Sequence, residues 1–220
     1  MNRILEIFDV AKKNPLFLGV ACSDFERMLN CLSPKTACYK KDDVILMSGD
    51  TVNFVYLVLS GGAKLVKEDA NGNITIIVEL SVSETFGEAF ACAAASPSSV
   101  SLLASDDTEI LFMNYKKIIT SCTAACPFHA KLIENMLKMI AKKTLILDQK
   151  IEILSKRTTR EKLLCFFDIQ RGAGRIFTIP FNREELACYL CVDRSAMSNE
   201  LCKMRDEGLI NFQKNRFEIL

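Results

Sequence analysis

Residues 181–210 have the sequence FNREELACYLCVDRSAMSNELCKMRDEGLI and belong to the most informative part of the chain. Asn182, followed three positions later by Glu185, has the form of a helix N-cap with its acidic partner. Asp193 can cap a second helix, and Gly208 is placed to end it. The stretch therefore predicts two short helices joined by a tight turn.

Apolar residues recur at helical spacing in both predicted helices, which gives each of them one buried face. The outer face of the second helix is polar and can donate hydrogen bonds to base edges and phosphates. That face carries Arg194, Ser195, Ser198, Asn199 and Lys203. Residues 209–212 and 216–220, around a turn at 213–215, have the pattern of a β-hairpin wing. Helix-turn-helix spacing favours DNA binding, but any small helical domain can expose Arg, Ser and Asn, so the pattern alone leaves both interpretations open.

A long helix is predicted from Pro127, which is well placed at a helix start, to about residue 155. Along this helix, apolar residues recur at alternating steps of four and three positions. This spacing is a heptad repeat, and only Thr144 interrupts it with a polar side chain. We call this set the heptad stripe: Ile133, Leu137, Ile140, Thr144, Leu147, Ile151 and Leu154. We assign the stripe to pairing with a second copy of the same helix. The adjacent face is expected to pack on the N-terminal domain through Leu132, Met136, Met139 and Ile146.

The N-terminal part begins with helical spacing over residues 1–33 and changes to short β-branched runs after Thr36. Glycine turns separate these runs, and Asn71-Gly72 is a strong hairpin signal. Closely spaced short strands favour an antiparallel barrel or jelly roll. A short helix from Tyr115 to about Cys122 and another from Arg160 to Gln170 complete the prediction.

Composition narrows the classes of function. The 220 residues carry a formal net charge of +1 with ten cysteines and one histidine, which is typical of a reduced, cytosolic chain. No signal peptide and no run of about 20 apolar residues is present, so we expect a cytoplasmic protein that does not contact membranes. Residues 156–220 hold twelve basic and nine acidic side chains, a mild excess that permits DNA binding.

Without a phosphate-binding glycine loop, and with His129 as the single histidine, we predict that the chain is not an enzyme.

The stretch 181–210 resembles the helix-turn-helix of the Crp/Fnr family of bacterial transcription regulators nearly position for position. Leu57-Val58-Leu59-Ser60-Gly61, Asn71-Gly72 and Phe86-Gly87-Glu88 are similar to that family's β-roll in order and spacing. The resemblance implies an α+β chain in three parts. These are a sensory double-stranded β-helix (jelly-roll, cyclic-nucleotide-binding-like) domain over 1–126, a dimerisation helix over 127–155 and a winged helix-turn-helix over 156–220.

The resemblance also implies a homodimer that binds an inverted repeat in double-stranded DNA and contacts RNA polymerase, as an activator or as a repressor. The DNA-binding residues that it implies are Arg183, Asp193, Arg194, Ser195, Ser198, Asn199, Lys203 and Lys214. Many family members carry arginine where this chain has Asn199. Because asparagine favours adenine and arginine favours guanine, the familiar half-site sequences are not expected here.

The effector pocket implied by the resemblance is made by Phe86, Gly87, Glu88, Ser98, Ser99 and Leu145. In cyclic-AMP receptors an Arg-Ser pair holds the cyclic phosphate, and that pair falls on Ser98-Ser99 here. The adenine-binding Thr-Ser pair falls on Leu145-Ile146. With the cation absent we predict a small-molecule effector other than cyclic AMP, and effector-independent DNA binding is an alternative. Gly87 and Glu88 then have a structural interpretation, as a turn and as a cap or internal salt bridge.

The cysteines suggest a further alternative, because the Fnr branch carries an iron–sulfur cluster near its N-terminus. The candidates are Cys22, Cys31, Cys38, Cys92, Cys122 and Cys126, but their spacing does not match the Fnr pattern. Cys188-x-x-Cys191 has the form of a redox or zinc pair, whereas simple packing is the plainer interpretation. His129, at the start of the long helix, is expected at the surface.

Overall fold

The structure is a computed structural model, and it describes residues 2–69, 71–72, 74–93, 97–120 and 126–220. It divides into two compact units, residues 1–141 and 142–220. The division falls inside the predicted long helix. Each unit has its own hydrophobic core.

The first unit opens with helices, as predicted for residues 1–33. Helix α1 spans Asn2–Ala11, a 3-10 turn spans Pro15–Phe17, and α2 spans Cys22–Leu32. Asn14 caps the 3-10 turn, since its side-chain oxygen accepts a hydrogen bond from the backbone N–H of Leu16 at 2.9 Å.

Eight short strands follow, and they form two antiparallel four-stranded sheets. The strands are β1 (Lys35–Tyr39), β2 (Val44–Leu46), β3 (Phe54–Ser60), β4 (Ala63–Glu68), β5 (Ile74–Leu80), β6 (Thr85–Phe86), β7 (Ser101–Ala104) and β8 (Thr108–Asn114). One sheet has the order β1-β8-β3-β6 and the other the order β2-β7-β4-β5. The predicted jelly roll is confirmed. Ala70 and Asn73, in the predicted hairpin turn between β4 and β5, lie outside the described residues.

Two short helices interrupt the strands. Helix α3 (Glu88–Cys92), which sequence patterns did not reveal, begins at Gly87, and α4 spans Tyr115–Ile119. Cys122, at the predicted end of α4, lies outside the described residues.

Apolar side chains fill the space between the two sheets and the layer beneath the helices. Val58, Leu65, Leu102 and Ile110 are buried between the sheets. A second cluster joins one sheet to α1, α2 and the long helix through Phe17, Phe25, Met28, Leu111 and Leu132.

Helix α5 spans Pro127–Ser155 and begins where predicted. In the first unit its Leu132 and Met136 are buried, and Met139 packs partly on the core, as expected for the adjacent face. Ile146 was assigned to the same contact but is exposed, so that assignment was wrong. The buried Asn135 amide donates to the carbonyl oxygens of Leu16 and Leu18 at 2.9 and 2.8 Å, which fixes α5 on this unit.

The second unit is a small helical domain with a three-stranded sheet. It contains α6 (Thr159–Arg171), β9 (Ile176–Thr178), α7 (Arg183–Leu190), α8 (Arg194–Asp206), β10 (Ile210–Gln213) and β11 (Arg216–Ile219). The sheet order is β10-β11-β9, so the predicted wing hairpin is confirmed and gains a strand that was not predicted.

The core of the second unit explains why these helices form. The inner faces of α6, α7 and α8 meet over the wing sheet. The core comprises Leu163, Phe166, Phe167, Leu186, Leu190, Met197, Leu201, Met204 and Phe217, with Ile153 from the end of α5. Capping boxes start α6 at Thr158 and α7 at Asn182, the latter with Glu185 as predicted.

Candidate nucleic-acid interface

Helices α7 and α8 are joined by the three residues 191–193. Cys191 ends α7 in the left-handed conformation, with φ of 51°. The Asp193 carboxylate accepts a hydrogen bond from the Ala196 N–H at 2.7 Å, which starts α8. The tight turn fixes the direction of α8 relative to α7, which is the arrangement of a helix-turn-helix.

The outer face of α8 presents the side chains that the sequence indicated. Arg194, Ser195, Asn199 and Lys203 are exposed, and Ser198 is partly exposed. The inner face is fully buried through Met197, Leu201 and Met204. Cys202 is also exposed on the outer face. It was missed by sequence reasoning, although its position four residues after Ser198 would have placed it there.

Ion pairs hold α8 against α6. The Arg160 guanidinium, in the first turn of α6, pairs with the carboxylates of Glu207 and Glu200. These partners raise the pKa of Arg160, with Glu207 contributing most, and Arg160 in turn lowers the pKa of Glu207. No local sequence pattern could have revealed this contact, because Glu200 and Glu207 follow Arg160 by 40 and 47 positions.

Arg183 was predicted to bind DNA, and the structure directs its guanidinium at the wing. The guanidinium carbon lies 4.8 Å from the ring centre of Phe212 and 5.1 Å from that of Phe217. Desolvation lowers the pKa of Arg183. A cation stacked on two aromatic rings fixes the wing to the start of α7.

The wing tip presents Lys214, which is exposed and has φ of 55°. The neighbouring Asn215 side chain donates to the Ile179 carbonyl oxygen at 3.2 Å, and the Asn215 carbonyl accepts from the Ile179 N–H at 3.0 Å. The tip is therefore held to the segment that follows β9, and the exposed side chain of Lys214 can approach a phosphate.

Two lysines cover the C-terminal end of α7. Lys150 of α5 donates to the carbonyl oxygen of Tyr189, and its ammonium lies 3.4 Å from the centre of the Tyr189 ring. Lys162 of α6 donates to the carbonyl oxygen of Leu190 at 3.1 Å. Helix ends favour such cations because the last carbonyl groups lack helical partners.

Three of the predicted effector residues, Phe86, Gly87 and Glu88, are buried in the first unit. Phe86 is buried, with its ring centre 6.1 Å from that of Tyr56 and 5.7 Å from that of Phe90. Gly87 has φ of 96°, and a Cβ there would lie 2.5 Å from the Phe54 carbonyl oxygen. Glu88 is 2% exposed, at the first position of α3.

The two serines at the phosphate position differ. Ser98 is buried, and its hydroxyl donates to the Val100 carbonyl oxygen at 2.6 Å, within its own turn. Ser99 is exposed. Leu145, the sixth predicted pocket residue, belongs to the second unit and is 63% exposed.

The heptad stripe leaves large apolar side chains uncovered in the single chain. Leu137, Leu147 and Ile151 are each more than 60% exposed. Thr144 is also exposed, whereas Ile133, Ile140 and Leu154 are partly buried. An exposed apolar row of this length on one helix is typical of an interaction surface.

Among the cysteines, Cys22 and Cys38 are exposed, while Cys31, Cys92 and Cys126 are partly buried. In the described part of the chain, no three His, Cys, Asp or Glu side chains are grouped so that they could hold a metal ion, and Cys122 lies outside that part. His129 is 2% exposed, with Nε2 3.7 Å from the Cys31 sulfur, so the expected surface position was wrong. The first turn of α5, which contains His129, faces the hydrophobic core of the first unit.

Within the described ranges, every helix is too short or too polar to cross a bilayer.

Comparison with known proteins follows the same division of the chain. Residues 37–123 match the family model "Cyclic nucleotide-binding domain", and residues 161–220 match "Crp-like helix-turn-helix domain". The cyclic AMP receptor protein of Thermus thermophilus is 24% identical over 210 residues, which cover 94% of this chain and 93% of that protein.

Solved structures share the fold. The catabolite activator protein of Thermus thermophilus has a TM-score of 0.57 at 23% identity, covering 94% of both chains. The c-di-GMP responsive regulator CLP of Xanthomonas campestris has a TM-score of 0.53 at 16% identity, covering 90% of this chain and 99% of that one. With both domain models matched in order, the chain belongs to the Crp/Fnr family of transcription regulators, as a cyclic nucleotide-binding domain followed by a Crp-like helix-turn-helix.

Proposed function

We propose that the chain is a homodimeric transcription regulator that binds an inverted-repeat site in double-stranded DNA, gated by a small-molecule effector other than cyclic AMP. The outer face of α8 is the observation that carries this proposal. Arg194, Ser195, Asn199 and Lys203 are exposed there on a helix whose opposite face is buried. Such a helix fits the major groove, with donors positioned for base edges and phosphates.

The heptad stripe supports the homodimer. Burying one leucine or isoleucine side chain contributes about 1.5–3 kcal/mol, and three such side chains of the stripe are largely exposed in a single copy. In a parallel pair of α5 helices, each stripe covers the other over several turns. Two-fold symmetry then places two copies of α8 roughly 34–36 Å apart, which is one turn of DNA.

The side chains on α8 indicate what the half-site contains. Arg194 can contact guanine or a phosphate, and the Asn199 amide matches adenine in a bidentate manner. Lys203 and the wing residue Lys214 are placed for phosphates, which fix orientation rather than sequence. Asp193 supports this surface by capping α8, and Arg183 supports it by holding the wing.

The effector is proposed not to be cyclic AMP, the ligand in the name of the Thermus thermophilus receptor. At the two positions where a cyclic phosphate is bound in such receptors, this chain has Ser98 and Ser99, which carry no charge. The Ser98 hydroxyl is already used by the Val100 backbone. A cyclic phosphate placed against these two serines would therefore meet no positive charge from them, and an anion buried without a cation is costly.

In this proposal residues 1–126 form the sensor, 127–155 the dimerisation helix and 156–220 the DNA-binding domain. Effector binding shifts the population of the dimer between two arrangements of the α5 pair and thereby sets the spacing of the α8 helices. The DNA-bound protein is proposed to act in the cytoplasm and to contact RNA polymerase. Addition of cyclic AMP is expected to leave the DNA affinity unchanged, and an increase would overturn the assignment of the effector.

The experiment that tests the function is selection of bound sites from random double-stranded DNA by the reduced, full-length protein. A two-fold symmetric motif is expected, with half-site centres about 10 base pairs apart. Arg194→Ala should abolish the motif. Arg171→Ala, which removes a cation at the far end of α6, should preserve it. Salt-sensitive binding without any motif in the wild type would overturn the proposal.

A further inference from the structure

Two exposed thiols flank the end of α7, and the proposed function does not use them. Cys188 lies in the last turn of α7, and Cys191 is the C-cap residue in the turn to α8. Both are exposed, so solutes can reach them. The Cys191 sulfur lies 3.7 Å from the Cys188 carbonyl oxygen, which shows that this thiol is turned back over the end of α7 toward Cys188.

Regular helical geometry would hold two cysteines at this separation in sequence slightly too far apart for a disulfide. Residues three apart on a helix have Cβ atoms roughly 5–6 Å apart, whereas a disulfide requires about 3.5–4.5 Å. A bond between the two sulfurs therefore needs an inward movement of about 1 Å or more by one residue. Cys191 is the residue that can move, because it lies outside the regular helix with φ of 51°.

The surroundings favour chemistry at sulfur. The ammonium groups of Lys150 and Lys162 bind the carbonyl oxygens of Tyr189 and Leu190, the two residues between the thiols. Cationic neighbours and solvent access are the features that distinguish reactive cysteines from buried structural ones.

We propose that Cys188 and Cys191 form a modification site at which hydrogen peroxide converts the two thiols into a disulfide. The Cys191 sulfur attacks one peroxide oxygen, the O–O bond breaks, and the products are a Cys191 sulfenic acid and one water. The Cys188 sulfur then attacks the Cys191 sulfur and displaces its hydroxyl group, which leaves with a proton as a second water. Two thiols and one peroxide thus give one disulfide and two waters.

Formation of this bond changes the start of the DNA-binding helix. In the thiol form the Cys191 and Val192 N–H groups both bind carbonyl oxygens at the end of α7. Pulling Cys191 toward Cys188 disturbs these bonds three residues before Arg194. Oxidation is therefore expected to weaken DNA binding. This consequence rests on the proposed function, whereas the thiol chemistry does not.

Trypsin offers a direct measurement with an internal control. Cleavage after Arg183 and Arg194 yields a peptide of residues 184–194, which contains Cys188 and Cys191 and no other cysteine. Cleavage after Arg194 and Lys203 yields a peptide of residues 195–203, which contains Cys202 alone. The reduced full-length protein is treated with peroxide, trapped with N-ethylmaleimide, digested and weighed by mass spectrometry.

In the 184–194 peptide, both cysteines are expected to become unavailable for alkylation at the same time. The mass of this peptide should then be two hydrogens below that of the reduced, unalkylated peptide. This change should occur about tenfold faster than the oxidation of Cys202. Cys188→Ser should prevent the disulfide. Equal reactivity of Cys202, or a 184–194 peptide that stays alkylated at both sulfurs, would overturn the proposal.

DNA affinity is measured on the same samples with a site from the selection experiment. Peroxide should lower the DNA affinity of the wild type by about tenfold. It should have the same effect on Cys22→Ser, a control that removes an exposed thiol from α2. Dithiothreitol should restore it, and Cys188→Ser should not respond. Disulfide formation without a change in affinity would overturn the regulatory consequence alone. A reduced protein that binds no specific site would instead overturn the proposed function, leaving the mass measurement to decide the thiol chemistry.

Discussion

Arg160 and Glu207 form a two-pronged ion pair between α6 and the residue that ends α8. The Arg160 Nη1 and Nη2 atoms lie 2.7 and 2.8 Å from the two carboxylate oxygens of Glu207. The planar guanidinium matches the carboxylate with two parallel hydrogen bonds, a geometry that lysine cannot reproduce. The pair fixes the C-terminal end of α8, while Asp193 caps the other end.

This ion pair predicts a specific dependence of stability on pH. Arg160 lowers the pKa of Glu207 below the ordinary glutamate value of 4.5 in the folded protein. The pair therefore stabilises the fold above that value, and its contribution disappears as the pH falls through the lowered pKa. A double-mutant cycle with Arg160→Ala and Glu207→Gln, measured by urea unfolding, should give a coupling at pH 7 that vanishes in acid. A coupling that is constant with pH would contradict the assignment.

The left-handed conformation of Cys191 predicts that glycine is better tolerated there. Cys191→Gly should raise the free energy of unfolding by about 0.5–1 kcal/mol, because glycine adopts positive φ without steric cost. Cys188→Gly, within α7, is the matched control and should lower it by about 0.5 kcal/mol. Thermal and urea unfolding of the reduced proteins provide the measurement. The same sign for both variants would argue against the helix C-cap at Cys191.

The close packing around Gly87 predicts a large loss of stability when this residue gains a side chain. Its φ of 96° is shared by Gly49, but a Cβ at Gly87 would lie 2.5 Å from the Phe54 carbonyl oxygen, and a Cβ at Gly49 would meet nothing within 4 Å. Gly87→Ala should therefore cost about 1–3 kcal/mol more than Gly49→Ala. Comparable losses in the two variants would show that the close approach of Gly87 to β3 is not tight.

The heptad stripe predicts the state of assembly. Leu147→Lys places a charge in the proposed helix pair, where it has no partner, and should convert the dimer to a monomer at micromolar concentration. Gln149→Lys adds the same charge two residues away, off the stripe, and should remain dimeric. Sedimentation equilibrium distinguishes the two states. Dimers in both variants would place the interface elsewhere.

Periodicity accounts for what the sequence predicted well. The steps of four and three from Ile133 to Leu154 located α5, and the spacing of Met197, Leu201 and Met204 identified the buried face of α8 and hence its exposed one. Capping residues located the starts of α7 and α8, since Asn182 and Asp193 act through neighbours three positions away. These signals are local, so a single sequence contains them.

The remaining features depend on contacts between distant residues. Strands β6 and β9 have two and three residues, which is too short for an alternating pattern. The stacking of Arg183 on Phe212 is set by how the wing folds back. His129 is polar in sequence but is buried at the start of α5. None of these placements follows from residue type or from local spacing.

In the proposed function, the outer face of α8 contacts bases in the major groove of two symmetric half-sites. Asn199→Arg tests it most directly, because arginine at that position favours guanine where asparagine favours adenine. Site selection with the variant is predicted to change adenine to guanine at one position in each half-site and to leave the other positions and the spacing unchanged. A motif identical to that of the wild type, or a change in only one half-site, would contradict the account.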